Sequence, residues 1–243
     1  MHVGNQGVLS LLFSGKTTGL VIDSGHSVTH VTPIHKGKVL YDNNAVLRLD
    51  LAGSDITDFF IKLLLQRGYT ISCTAEKHIF RDVKEKLAYV AVDYEEELKK
   101  SSKDPKNVEQ FYELFDGNVL TIGEERFRCM ELLFNPMLIG SKQQGLHDVT
   151  YSSIMRCEAD IRDEFFSNIV LSGGSTCCTG FAERVQKEIT RLAPESTKVK
   201  VFDPPGRQYS TWMGGCQFVQ NVDWITKEEY DEYGPTIVHK KCI

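Results

Sequence analysis

Between residues 19 and 34 two apolar, β-branched runs, Leu20-Val21-Ile22 and Val28-Thr29-His30-Val31-Thr32-Pro33-Ile34, flank the polar stretch Asp23-Ser24-Gly25-His26-Ser27. The pattern predicts a hairpin with strands near 19–23 and 28–34, and Lys36-Gly37-Lys38 turns into a third strand near 38–41. Asp42-Asn43-Asn44 reads as a polar loop. Upstream, Val8, Leu9, Leu11 and Leu12 predict a short helix within 2–13 that stops at Gly15. Ile56, Phe59, Phe60, Leu63 and Leu64 recur at helical spacing over 54–67, with Gly68 just past the end. A second helix is expected over 75–89, and the charged, Ser-rich stretch 99–107 reads as a solvated, mobile loop.

Phe115-Asp116-Gly117-Asn118 reads as a hairpin turn entering a strand, and 132–139, around Asn135-Pro136, as a loop. Ile169-Val170-Leu171-Ser172 is a buried-strand pattern running into Gly173-Gly174, followed by a helix with the stripe Phe181, Val185, Ile189 and Leu192. Val199-Lys200-Val201-Phe202 predicts a short strand, and Thr226-Lys227-Glu228-Glu229 a capping box that opens a final short helix. Strand, glycine turn and helix in succession indicate an α/β domain.

Composition narrows the classes. The 243 residues are 41% hydrophobic and 25% charged, which permits a sizeable core. Net charge is −5 and no basic run stands out, so electrostatics offer no reason to expect a nucleic-acid partner. Seven dispersed cysteines without a C-x-x-C spacing argue against a disulfide framework or a structural zinc site and fit a reduced, cytosolic setting. Cys177-Cys178 is either a redox pair or two small packing residues. The apolar run 8–13 is too short for a membrane span, and no leader is expected.

Four constellations are candidates for chemistry. In the hairpin, Asp23 suits a metal-bound water, and Ser24, Gly25, His26 and Ser27 can direct backbone amides and a hydroxyl at phosphate; an ordinary hairpin is the alternative. Gly173, Gly174 and Ser175 sit where a strand opens toward a helix, a place for backbone to approach a nucleotide or for tight packing alone. Arg81, Lys84 and Glu85 share one helical face, as contacts to ribose and base or as a solvated face. Gln6 and His30 have the side chains needed to orient an attacking water and relay its proton, or are an unrelated pair far apart in sequence.

In order, these segments resemble actin. Leu47-Arg48-Leu49-Asp50-Leu51-Ala52-Gly53-Ser54-Asp55, Arg81-Asp82-Val83-Lys84-Glu85-Lys86-Leu87, Thr121-Ile122-Gly123-Glu124-Glu125-Arg126-Phe127-Arg128-Cys129 and the run from Tyr230 to Ile243 carry the likeness. The resemblance implies an α/β actin-like ATPase fold with ribonuclease-H-like halves, here without the family's front third. Residues 1–15 and 205–243 would be the remnant of the first half, its outer small subdomain. Residues 16–204 would be the second half, with its outer subdomain near 50–140. It implies a cytoskeletal, cytoplasmic protein that binds ATP or ADP with Mg or Ca and hydrolyses ATP weakly at most. The alternative is a nucleotide-independent protein that binds actin or its partners, or a degenerate product. By position, Gln6 and His30 would organise the hydrolytic water and Asp23 would hold the cation through water. Gly53, Arg81, Lys84, Glu85, Gly173, Gly174 and Ser175 would contact nucleotide, with Cys177 and Gln208 beside the base. Leu12, Gly15 and Thr17 fall on the family's partner groove, and 137–140 on its apolar plug loop. Implied partners are actin or actin-like subunits and actin-binding proteins, with no nucleic acid and no membrane.

Several positions depart from the family pattern. His26 replaces an aspartate, Ser27 a glycine, Cys177-Cys178 a Met-Tyr pair, Gln208 a lysine and Gly206 a glutamate. A missing first phosphate hairpin would remove charge-assisted hydrogen bonds worth about 1.5–3 kcal/mol each, so reduced nucleotide affinity is expected.

Overall fold

The computed structural model describes residues 1–70, 74–114, 117–219 and 222–242. Along the chain run α1 (Gln6–Phe13), β1 (Gly19–Ser24), β2 (Thr29–His35), β3 (Lys38–Val39), β4 (Leu47–Leu49), α2 (Gly53–Arg67), α3 (Thr74–Leu87) and α4 (Tyr94–Lys103). There follow β5 (Gln110–Glu113), β6 (Val119–Ile122), α5 (Glu125–Arg128), α6 (Leu146–Arg156), α7 (Arg162–Phe166), β7 (Ile169–Ser172), α8 (Phe181–Leu192), β8 (Val201–Phe202), α9 (Ser210–Phe218), α10 (Lys227–Tyr233) and α11 (Val238–Lys241).

The main sheet has the order β3-β2-β1-β7-β8, with β4 on β2 beside β3. β1 and β2 are antiparallel, pairing Gly19 with Ile34 and Asp23 with His30, whereas β1, β7 and β8 are parallel. Alternation along the strands sorts side chains to two faces. Leu20, Ile22, Val31, Ile169 and Leu171 enter a large core with Phe60, Phe166 and Phe181. Val21, Ile34 and Val170 face the other way and meet Leu11 of α1. Behind α1 lies α9, so close at Gly214 that a Cβ there would sit 1.8 Å from the carbonyl oxygen of Leu9.

Several elements differ from the sequence expectation, each for a local reason. The first helix starts at Gln6 because the Asn5 side chain accepts from the amides of Gly7 and Val8. Asp42-Asn43-Asn44 forms one helical turn, which cuts the expected third strand to two residues. The helix expected over 75–89 ends at Leu87, where the Val90 amide turns away to the Thr179 carbonyl. Half of the expected loop 99–107 is the end of α4: Asp93 caps it, Glu95, Glu96 and Glu97 lie in its first turn, and Lys100 and Lys103 lie in its last. The stretch 132–139 coils into tight turns at Met130–Leu133 and Pro136–Ile139. The capping box at Thr226 does open α10, but α11 follows it. Phe115 and Asp116 of the expected turn lie outside the described residues; the strands on either side pair as β5 and β6. No helix among the described residues is long and apolar enough to cross a membrane.

Candidate functional site

The tip of the β1–β2 hairpin is clamped from two sides at the carboxyl ends of β1 and β7. The Gly25 carbonyl accepts from the Gly53 amide at 3.0 Å and from the Ser175 hydroxyl at 2.7 Å, and the His26 carbonyl accepts from the Ser54 amide at 2.7 Å. Glycine is required at two of these joints. A Cβ on Gly53 would lie 2.8 Å from Ser175 Oγ. Gly173 has φ +88°, and its Cβ would lie 2.3 Å from the Ser24 carbonyl oxygen.

Above this joint is a cleft of about 450 Å³. Its floor is Gly25, His26, Gly53, Gly174 and Ser175; a Cβ on Gly174 would meet nothing within 4 Å, so the backbone there is open to a ligand. One wall comes from Lys84, Glu85 and Ala88 with Ile56 and Met130, the other from Cys177, Cys178, Gln208 and Tyr209. Lys84 is buried, and its ammonium donates to the Gly53 carbonyl at 3.0 Å and to Thr57 Oγ1 at 2.9 Å. Burial pushes its pKa down. Burial also pushes the Cys178 thiol up to about 12, which keeps it protonated, while Cys177 is exposed with its sulfur 3.6 Å from Gln208 Oε1.

A second group lies beneath, on the sheet face that α1 covers. Asp23 faces His30 across the β1–β2 pair. Burial raises the Asp23 pKa, against a hydrogen bond from Ser172 Oγ at 3.1 Å and the nearby His30. Ser172 is itself held by the hydroxyls of Ser210, at 2.8 Å, and Ser10, at 3.1 Å. Three elements thus converge on one carboxylate through buried serines. Gln6 is exposed in the first turn of α1, whose Gly7 abuts Thr32, two residues along β2 from His30.

The structure therefore brings together Gly25, His26, Gly53, Lys84, Glu85, Gly174, Ser175, Cys177 and Gln208 around one cleft. Asp23, His30 and Gln6 stand behind it. Four candidates are placed otherwise. Gly173 lies outside the lining, against the Ser24 carbonyl. Arg81 lies outside the lining, 3.7 Å from the Glu85 carboxylate. The Ser24 hydroxyl is turned inward to Thr29 at 2.8 Å, which leaves only its backbone for a phosphate. Ser27 is exposed at the tip, outside the lining. The sequence reading missed Ile56, Ala88, Met130 and Tyr209. Ala88 was recoverable, since it follows Lys84 and Glu85 at helical spacing.

These residues fit a nucleotide. Open backbone at Gly174, a positive side chain at Lys84 and a carboxylate at Glu85 offer donors and acceptors of the right kinds. Among the described residues no three His, Cys, Asp or Glu side chains converge as a metal cage. A cation here would be held through phosphate oxygens and water, as hard divalent ions often are. A family model described as actin matches residues 1–243, the whole chain.

Proposed function

This chain belongs to the actin family, and we propose that it is a cytoplasmic, cytoskeletal actin-like protein whose cleft binds ATP or ADP with Mg or Ca and hydrolyses ATP weakly at most. One observation carries the reading: the hairpin turn, the start of α2 and the glycine turn after β7 meet at the carboxyl ends of parallel strands, the customary ligand position in α/β sheets. A bound nucleotide supplies the phosphoanhydride and its cation the neutralising charge. The backbone of 25–26 and 174–175 would face the phosphates, Lys84 and Glu85 the sugar, and Cys177 and Gln208 the base. Asp23, oriented by Ser172, would hold a cation-bound water. His30 and Gln6 would hold and move the proton of an attacking water.

Calorimetric titration with MgATP, followed by phosphate release, tests this. Saturable binding at or below about 1 mM, equivalent to about −4 kcal/mol, is expected. No heat at millimolar MgATP sinks it.

A second reading, a nucleotide-independent protein that binds actin or actin-binding proteins, is favoured by the contact of Cys177 with Gln208, which ties one cleft wall to itself. Co-sedimentation with actin filaments in the absence of nucleotide checks it, and no association removes it.

A further inference from the structure

The cleft wall formed by Cys177 and Gln208 rests on a cross-braced joint between two chain segments. The Gly173 amide donates to the Arg207 carbonyl at 3.1 Å. In return the Arg207 guanidinium donates to Thr176 Oγ1 at 3.2 Å, to the Thr176 carbonyl at 2.9 Å and to the Asp203 carbonyl at 3.2 Å. Thr176 is buried, and its hydroxyl donates to the Gly173 carbonyl at 2.8 Å. None of these bonds uses the side chain of Cys177 or Gln208. The joint fixes the backbone on both sides of the pair and leaves the two side chains to line the cleft.

The contact between those side chains has a direction. The Cys177 thiol donates to Gln208 Oε1 at 3.6 Å, and the Gly173 carbonyl, a second acceptor near that sulfur, is farther off at 3.8 Å. A primary amide carries an acceptor at one end and two donors at the other. With its oxygen turned to the thiol, Gln208 has its amide N–H groups left for the cleft, and among the described residues they have no hydrogen-bond partner. The Lys84 ammonium, on the facing wall, is already committed to the Gly53 carbonyl and Thr57.

We propose that this donor selects the base: the cleft takes a purine nucleotide with a carbonyl oxygen at C6, as in guanine and hypoxanthine, in preference to adenine. The inference rests on the nucleotide reading of the cleft, with Gln208 beside the base. An oxygen at C6 accepts from the Gln208 amide. The 6-amino group of adenine offers hydrogens instead, so two donors face each other and neither is paired. Gln208 is exposed, so water competes for the bond and the preference is modest.

Calorimetric titration of the full chain with MgATP, MgGTP and MgITP tests this. GTP should bind about threefold to tenfold tighter than ATP, the difference one neutral hydrogen bond makes. ITP shares the oxygen at C6 but lacks the 2-amino group of GTP, and should match GTP within about twofold. Gln208→Glu replaces the donor end with a carboxylate oxygen that only accepts, so the preference should reverse in favour of ATP. Cys177→Ala removes the thiol that holds the amide oxygen. The amide can then turn either end to the base, and GTP and ATP affinities should come within about twofold of each other. Each variant is judged by the ratio of its own affinities, so a general loss of affinity does not imitate the result. ATP binding as tightly as GTP or tighter, GTP but not ITP exceeding ATP, or a ratio that either substitution leaves unchanged overturns the inference while nucleotide binding stands. No heat with any of the nucleotides at millimolar concentration overturns both.

Discussion

Replacing Arg184 with leucine tests whether the back of the cleft is held by a buried ion network. Arg184 is 6% exposed and donates to both Glu131 oxygens at 2.8 and 3.0 Å, to Glu188 Oε1 at 2.8 Å and to the Ala91 carbonyl at 2.9 Å. Its guanidinium also lies 4.6 Å from the Phe134 ring centre. Glu131 is 5% exposed and directly follows Met130 of the cleft wall. Removing the arginine strands a buried carboxylate, which costs about 3–5 kcal/mol. With a urea m-value of about 3 kcal/mol/M, the midpoint should fall by at least about 1 M. The exposed Arg48–Asp50 pair, 63% open on both sides, gives the contrast. Its removal through Arg48→Gln should cost less than about 1 kcal/mol.

The pH dependence separates a stranded charge from a simple packing loss. Burial already raises the Glu131 pKa, against the pull of Arg184. Without the arginine that rise grows, so the folded variant binds more protons than the unfolded chain between the unfolded and the folded pKa of Glu131. Its penalty is full above the folded pKa and is relieved as pH falls toward the unfolded value. The deficit of Arg184→Leu should therefore shrink on going from neutral to mildly acidic pH, and adding Glu131→Gln should recover part of it at neutral pH. A cost below about 1 kcal/mol, or a larger one that neither acid nor Glu131→Gln reduces, refutes the reasoning.

Gly173→Ala should lower stability by about 2 kcal/mol or more, because of its positive φ and the 2.3 Å approach to Ser24, whereas Gly174→Ala should stay within about 0.5 kcal/mol; thermal melts that show equal effects contradict this. Ser172→Ala removes the hydroxyl donated to Asp23 and should move that carboxyl's titration further up in pH, read by carbon-13 NMR; no upward movement counts against the serine relay. Thr226→Ala removes the hydroxyl that accepts from the Glu229 amide at 3.2 Å, keeps the bond from its own amide to Glu229 Oε2 at 2.9 Å, and should cost about 1 kcal/mol. Hydrogen-exchange protection over α10 should fall with it, and unchanged protection would argue that the bond from Lys241 to Glu229 suffices.

The β1–β2 hairpin and α2 were legible within a residue or so because their apolar periods are strict and glycine or polar residues bound them. α9 was not, because Ser210-Thr211-Trp212-Met213-Gly214-Gly215 has poor helix propensity. Its helix is imposed by packing, since only a glycine at 214 lets the backbone of α1 approach so closely. The end of α4 was hidden for a different reason: its serines and lysines look like a loop unless the cap at Asp93 is connected to them. At the site, glycines and the spacing of Lys84 and Glu85 pointed to surfaces that line one cleft. Spacing could not say that Arg81, one turn earlier, stops short of the cleft.

The division of labour within the cleft bears on how far family membership carries function. The contacts that build it are made by backbone and by small residues: Gly25 with Gly53 and Ser175, His26 with Ser54 through its carbonyl, and Gly173 against Ser24. At the positions read from the sequence as departures from the family pattern, the side chains of His26, Ser27, Cys177 and Gln208 make none of those contacts. His26 contributes its backbone to the clamp and leaves its imidazole exposed, Ser27 is exposed at the tip, and Cys177 and Gln208 touch each other on one wall. Changes at such positions leave the fold intact while altering charge, bulk and hydrogen-bonding capacity where a ligand would rest. The fold can therefore persist after the chemistry has weakened or changed, because the selection of a ligand lies in side chains that the frame does not need. Direct titration with nucleotide, rather than any further measure of fold or stability, is consequently the measurement that separates the two readings of this cleft.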